Sequence, residues 1–180
     1  QPWVPAASFL TSAEAYIKSR WIPIQHMPHR AWLATACVLN GRLYVIGGWN
    51  SSALQVLEMT EENGLSWSCK ADLPTNRYAA ASVVYNGKIW VMGGCVPGEN
   101  PTTSVLVYDA EADTWEAGPP LPSTCFCARA AAIDGAIFLY CEGRVFALGT
   151  EPQHGRGWRP LEAGDAAPAR IAACESLLLG

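Results

Sequence analysis

The chain has 180 residues, 50% of them hydrophobic and 16% charged, which supplies the material of a folded core and excludes a disordered segment. A net charge of −4 with scattered basic residues excludes a phosphate-backbone footprint, and no apolar run approaches the ~20 residues of a membrane-spanning helix. Seven irregularly spaced cysteines imply no disulfide framework and fit ordinary thiols in a reducing, cytoplasmic compartment.

In chain order, Tyr16 to Trp21 carry the pattern of a short hairpin, followed by the proline-containing connector Met27-Pro28-His29-Arg30. An alanine-rich stretch over 34–39 leads to Asn40-Gly41, then to the apolar run Leu43-Tyr44-Val45-Ile46, Gly47-Gly48 and a later Trp67. The same series recurs as Leu73-Pro74-Thr75-Asn76-Arg77, residues 79–85, Asn86-Gly87, Ile89-Trp90-Val91-Met92, Gly93-Gly94, Val105-Leu106-Val107-Tyr108 and Trp115. A third pass runs through Leu121-Pro122, residues 128–133, Asp134-Gly135, Ile137-Phe138-Leu139-Tyr140 and Trp158, with Cys141-Glu142 where the glycine pair stood. Ala167-Pro168-Ala169-Arg170 opens a further unit that stops at Leu177-Leu178-Leu179-Gly180.

The turns at Gly41, Gly87 and Gly135 stand 46 and then 48 residues apart. Asn-Gly and Asp-Gly accept the positive φ that both central residues of a type I′ turn need, so each marks a hairpin. Proline fixes φ and lacks a ladder donor, so the connectors link strands and do not continue them. Each unit therefore predicts four short antiparallel strands, and four-stranded units at this period form the blades of a β-propeller. Alanine-rich first strands suit the crowded channel, and Trp67, Trp115 and Trp158 suit the wider space between blades.

A Pro-x-x-Arg connector, an Asn-Gly turn, a strand ending in Gly-Gly, then Tyr-Asp and a Trp together resemble the kelch repeat. The fullest match is 73–115, with Arg77, Asn86-Gly87, Gly93-Gly94, Tyr108-Asp109 and Trp115, and the resemblance covers almost the whole chain. It implies an all-β fold, a kelch-type propeller whose ring is incomplete here. The expected division is the end of a preceding blade over 1–26, blades over 27–72 and 73–120, a divergent blade over 121–166 and the first strand of another over 167–180. Kelch propellers resemble one another in closing with about five to seven blades, so missing chain or a neighbouring subunit is expected to complete the ring. Two departures stand out: Glu58-Met59 replaces Tyr-Asp in the first blade, and the third lacks both the glycine pair and an Arg in its connector, Arg129 coming too late.

Arg30, Arg77 and Arg170 share a connector register, which predicts guanidiniums side by side at one mouth of the channel, where kelch substrate adaptors hold their partners. Such a ring favours carboxylates, while the competing role for the same arginines is to pin the connector through its carbonyls. Trp32 and Tyr78 follow two of these connectors and Trp49 follows the first glycine pair; aromatics beside arginine have the composition of a binding hot spot. Gly47, Gly48, Gly93, Gly94 and the three tryptophans are structural repeat positions.

His26, His29 and His154, with Cys125-Phe126-Cys127, make no metal-ligand set, and no nucleophilic triad, carboxylate pair or phosphate-cradling loop is present. No cofactor and no metal are expected, nor nucleic acid or membrane insertion. The function expected is a non-catalytic protein-interaction module or scaffold whose partner carries an acidic segment, with the substrate-recognition part of a ubiquitin-ligase adaptor as its specific form. The alternatives implied by the resemblance are a kelch-fold enzyme of copper-radical oxidase or sugar-epimerase type, and a structural subunit whose open blade faces are covered by neighbours.

Overall fold

The structure is a computed structural model that describes residues 13–17, 19–24, 26–29, 31–49, 56–60, 66–149 and 157–161. All its regular elements are strands. A hairpin of β1 (Ala13–Ile17) and β2 (Arg20–Ile24) precedes three four-stranded antiparallel sheets. The first contains β3 (Thr35–Leu39), β4 (Arg42–Ile46), β5 (Val56–Thr60) and β6 (Ser66–Cys69). The second contains β7 (Ala81–Tyr85), β8 (Lys88–Met92), β9 (Val105–Asp109) and β10 (Thr114–Ala117). The third contains β11 (Arg129–Ile133), β12 (Ala136–Cys141), β13 (Arg144–Gly149) and the two-residue β14 (Arg159–Pro160). The sheets are propeller blades in strand order, and the arc they form does not close. Among the described residues no helix is long and apolar enough to cross a membrane.

The first hairpin of each blade follows directly from its turn residues. Asn40, Asn86 and Asp134 have φ of 51°, 49° and 48°, and the glycines after them 73°, 71° and 76°, so both central residues lie in the left-handed region. Glu142 and Gly143, at 48° and 79°, make a further turn of this kind between β12 and β13. The third blade thus replaces the long β8–β9 connection of the second by two residues. In the first blade Met59 stands opposite Trp67 as Tyr108 stands opposite Trp115, so the outer ladder keeps its register although Tyr-Asp has been lost.

The core lies in the seams between blades. Leu39, Tyr44 and Ile46 of the first blade pack against Ile89, Val91, Leu106 and Tyr108 of the second. On the other face of the second blade, Met92, Val105 and Val107 meet Ile137, Leu139, Phe146 and Leu148 of the third. Period-2 alternation sends neighbouring residues to opposite seams, and each buried aliphatic side chain contributes about 1.5–3 kcal/mol relative to exposure. Indole nitrogens bolt the outer strands backwards: Trp115 Nε1 donates to Ala71 O at 2.9 Å and Trp158 Nε1 to Pro119 O at 2.9 Å. Asp113 Oδ1 adds a second tie there, accepting from Ala71 N at 2.9 Å and from the Tyr108 hydroxyl at 2.5 Å.

The glycine pairs are joints between blades. Gly48 N donates to Arg77 O at 3.0 Å, and one blade on Gly94 N donates to Cys125 O at 2.7 Å. The preceding glycine of each pair lets that same carbonyl approach, since a Cβ on Gly47 or Gly93 would lie 2.4 Å from it. Gly93→Ala, with φ of +61° and this backbone clash, is expected to destabilise the chain by at least about 2 kcal/mol. Gly87→Ala, at φ +71° with open space around it, is expected to cost about 1–2 kcal/mol from backbone strain alone. Chemical denaturation of both variants checks the difference.

Candidate partner-binding face

The blades meet at a channel whose wall is built by their first strands. Residues 33–36, 79–82 and 127–130 surround an open cavity of about 520 Å³. Alanine dominates this lining because the three strands converge there. Its polar groups are few: Thr35 Oγ1 and Ser82 Oγ share a hydrogen bond of 2.6 Å across the seam, and Arg129 is the one charged residue of the lining.

Around one mouth runs a backbone collar. Ala79 N donates to Leu33 O at 2.9 Å and Cys127 N donates to Ala79 O at 2.8 Å, each bond joining one blade to the next. Leu33, Ala79 and Cys127 have φ of 57°, 53° and 50°, a conformation that costs non-glycine residues about 1–2 kcal/mol each. Such strain persists only where the surroundings over-determine it. Here the collar bonds on one side and the strand start on the other hold these residues in place.

The residue before each collar position is aromatic: Trp32, Tyr78 and Phe126. Trp49 joins them through an isolated bridge between Trp32 and Trp49, repeated one blade on between Tyr78 and Cys95. The Trp32 and Trp49 ring centroids lie 6.0 Å apart at 62°, and those of Trp49 and Tyr78 4.6 Å apart at 66°, two edge-to-face contacts that form one continuous ledge. Trp32 and Trp49 are each 45% exposed and Phe126 42%. Large aromatic area thus stands in solvent at the channel mouth.

Arg77 corrects the expectation of a solvent-facing arginine ring. It is 1% exposed, and its guanidinium is engaged within its own blade: Nη1 donates to Gly93 O at 3.3 Å and to Ser104 O at 3.2 Å, and Nη2 to Ser104 Oγ at 2.8 Å. Burial pulls its pKa down to about 10. The matching bridges also show that Arg77 aligns with Ala31 in the first blade, because both bridge partners shift by 46 residues. In the third blade the register falls on Cys125, whose carbonyl receives Gly94 as that of Arg77 receives Gly48. Among the described blades the register therefore reads Ala31, Arg77, Cys125. Arg30 and Arg170 lie outside the described residues.

Phe126, Leu33 and Arg129 join the face in the tertiary structure. Phe126 stands 48 residues after Tyr78, the spacing of the turns, but alignment on arginine hid it because its connector has none. Arg129 begins β11 at the channel, where among the described residues Nη1 makes only long bonds, 3.4 Å to Cys127 O and 3.3 Å to Ala128 O. Among the described residues no group of three His, Cys, Asp or Glu side chains converges as a metal set.

The thiols divide by environment. Burial pushes Cys125 up to about 12, with the neighbouring Cys141 thiol acting in the same direction, and pushes Cys37 up to about 11 against a weaker opposing bond with Ser82. Cys127 is exposed on the collar. Because the thiolate is the nucleophile, iodoacetamide at pH 8 is expected to modify Cys127 in the native chain and to reach Cys37 and Cys125 only after denaturation, as peptide mass mapping will read.

Blades of four antiparallel strands around a small-residue channel define a β-propeller. The comparisons narrow this further. The Kelch motif model matches residues 33–59 and 76–122. The chain is 30% identical over 133 residues to Kelch-like protein 23 of Homo sapiens, covering 71% of this chain and 23% of that protein. It is 26% identical over 151 residues to Kelch repeat and BTB domain-containing protein 12 of Homo sapiens, covering 70% of this chain and 24% of that one. Among solved structures it is similar to that of YjhT, with a TM-score of 0.67, 18% identity and coverage of 87% of this chain and 60% of the other, a likeness of fold. The chain belongs to the kelch-repeat family, and it spans about a quarter of the length of these curated relatives.

Proposed function

We propose that this chain is a protein-interaction module that receives an extended segment of its partner across the mouth bounded by Trp32, Trp49, Tyr78 and Phe126. The observation that carries the reading is the exposure of three of these aromatics on a collar held by inter-blade backbone bonds. Tyr and Trp are enriched among interface hot spots because they bury large area with few torsions to fix. A rigid collar lowers the ordering cost of binding.

Arg129 gives the site its charge preference. Its guanidinium, at the channel and held by long bonds only, favours a carboxylate through charge-assisted contact, so the partner segment is acidic next to an apolar anchor. Arg30 and Arg170 are kept as partner-binding candidates on the sequence alone. The non-catalytic reading rests on the kelch-repeat relatives. In a parent organised like the human relative whose name joins kelch repeats to a BTB domain, the module would select substrates for a ubiquitin ligase.

Selection of 12-residue peptides on the full chain tests this. Peptides carrying a carboxylate beside a leucine or aromatic are expected to be enriched, and Trp49→Ala, Phe126→Ala or Arg129→Ala is expected to weaken the best of them by about tenfold or more. The thermal midpoint of each variant should stay within about 3 °C of the parent. Enriched peptides indifferent to all three substitutions would place binding elsewhere and overturn the reading.

A further inference from the structure

The β8–β9 connection is long, and Arg77 holds both of its ends. Gly93 O, at its start, and Ser104 O and Oγ, at its finish, all accept from the one buried guanidinium. Around that pin the segment closes on itself: Gly93 N donates to Ser104 O at 3.1 Å, Thr102 N to Gly94 O at 2.9 Å, and Leu121 N to Thr103 O at 2.8 Å. Thr102 Oγ1 accepts from Ser104 N at 3.1 Å, and Glu99 N donates to Val96 O at 3.0 Å to form the tip turn. Residues 97–100 at the tip are exposed, while the base of the loop is continuous with the aromatic ledge through the Tyr78–Cys95 and Cys95–Pro101 bridges.

We infer that Arg77 is a positioning residue, which presets the 95–103 loop as a rigid wall of the docking face beside Tyr78. The physical reason lies in where the charge sits. A segment rich in Pro, Gly and Thr is paired here only by a few backbone bonds near its base and the isolated Cys95–Pro101 bridge, and loop closure costs conformational entropy. One planar guanidinium bonding both ends removes that freedom before a partner arrives, a role a flexible ammonium performs less well. The third blade offers the contrast: it turns in two residues at Glu142-Gly143, has no loop to pin, and carries Cys125 in the matching position. This inference rests on the proposed binding face for its consequence, but not for its structural part.

Amide hydrogen exchange on the full chain separates the two. In Arg77→Met, and more mildly in Ser104→Ala, which keeps the arginine but removes the Oγ that accepts from Arg77 Nη2 and from Thr102 Oγ1, the amides of Gly93, Thr102 and Leu121 are expected to exchange about tenfold faster or more while those of β4 and β12 keep their rates. Arg77→Lys should fall between the parent and Arg77→Met. Equal acceleration in loop and strands, or none in the loop, would overturn the positioning role, and Ser104→Ala keeps the test open if Arg77→Met fails to fold. The best peptide from the 12-residue selection is expected to bind Ser104→Ala about threefold to tenfold more weakly, chiefly through slower association with a disordered wall. Undiminished binding with a loosened loop would remove the loop from the docking face. Absence of any selected peptide dependent on Trp49, Phe126 or Arg129 would sink the binding reading alone, and the exchange ratio would still decide what Arg77 does.

Discussion

A carbonyl oxygen of one blade's connector, received by the glycine pair of the blade before it, is the contact on which the arc depends. At Arg77 O and Cys125 O the approach is so close that no side chain is tolerated on the first glycine, and the second glycine's N–H accepts the alignment by donating to that oxygen. The bond fixes the distance between blades at one end of the channel. Everything else follows from that spacing: the seam side chains interdigitate, the collar residues come into line for their own bonds, and the indoles of Trp115 and Trp158 reach back to the preceding blade.

Fixing the blades this way has a cost, borne at the collar. Leu33, Ala79 and Cys127 are held in the left-handed region although none is glycine. The residues before two of these positions, Trp32 and Phe126, stand in solvent at the mouth, while Tyr78 before the third is half-buried. Strain and exposed aromatics therefore meet at one place. A chain folded only for stability would relax the first and bury the second, and the coincidence of both at the channel mouth is what makes this face the candidate site.

Arginine plays two distinct parts in the module. Arg77 is buried and bonded to oxygens of its own blade, so its charge organises a loop. Arg129 keeps its donors near the channel with long contacts only, so its charge is available to a carboxylate. Their order in the sequence is misleading, because the one at the familiar connector position is inaccessible and the one that seemed displaced lines the cavity. The third blade shows the logic from the other side: without a loop to hold, it has a thiol in the seam where the second blade has a guanidinium.

The sequence by itself determined the blades. Turn chemistry at Asn40-Gly41, Asn86-Gly87 and Asp134-Gly135 is local, since φ preferences act within two residues, and apolar alternation on either side sets which strands face a core. It also indicated Trp32, Trp49 and Tyr78 as neighbours of the mouth. Tertiary structure alone decided which residues share a register and which reach solvent. Connector lengths differ by one residue between blades, so alignment on the arginines placed Arg30 opposite Arg77, whereas the bridges from Trp32 and Tyr78 place Ala31 there. Burial of Arg77, exposure of Phe126 and the position of Arg129 at the channel depend on contacts between residues some 16 to 48 positions apart, which no local preference encodes.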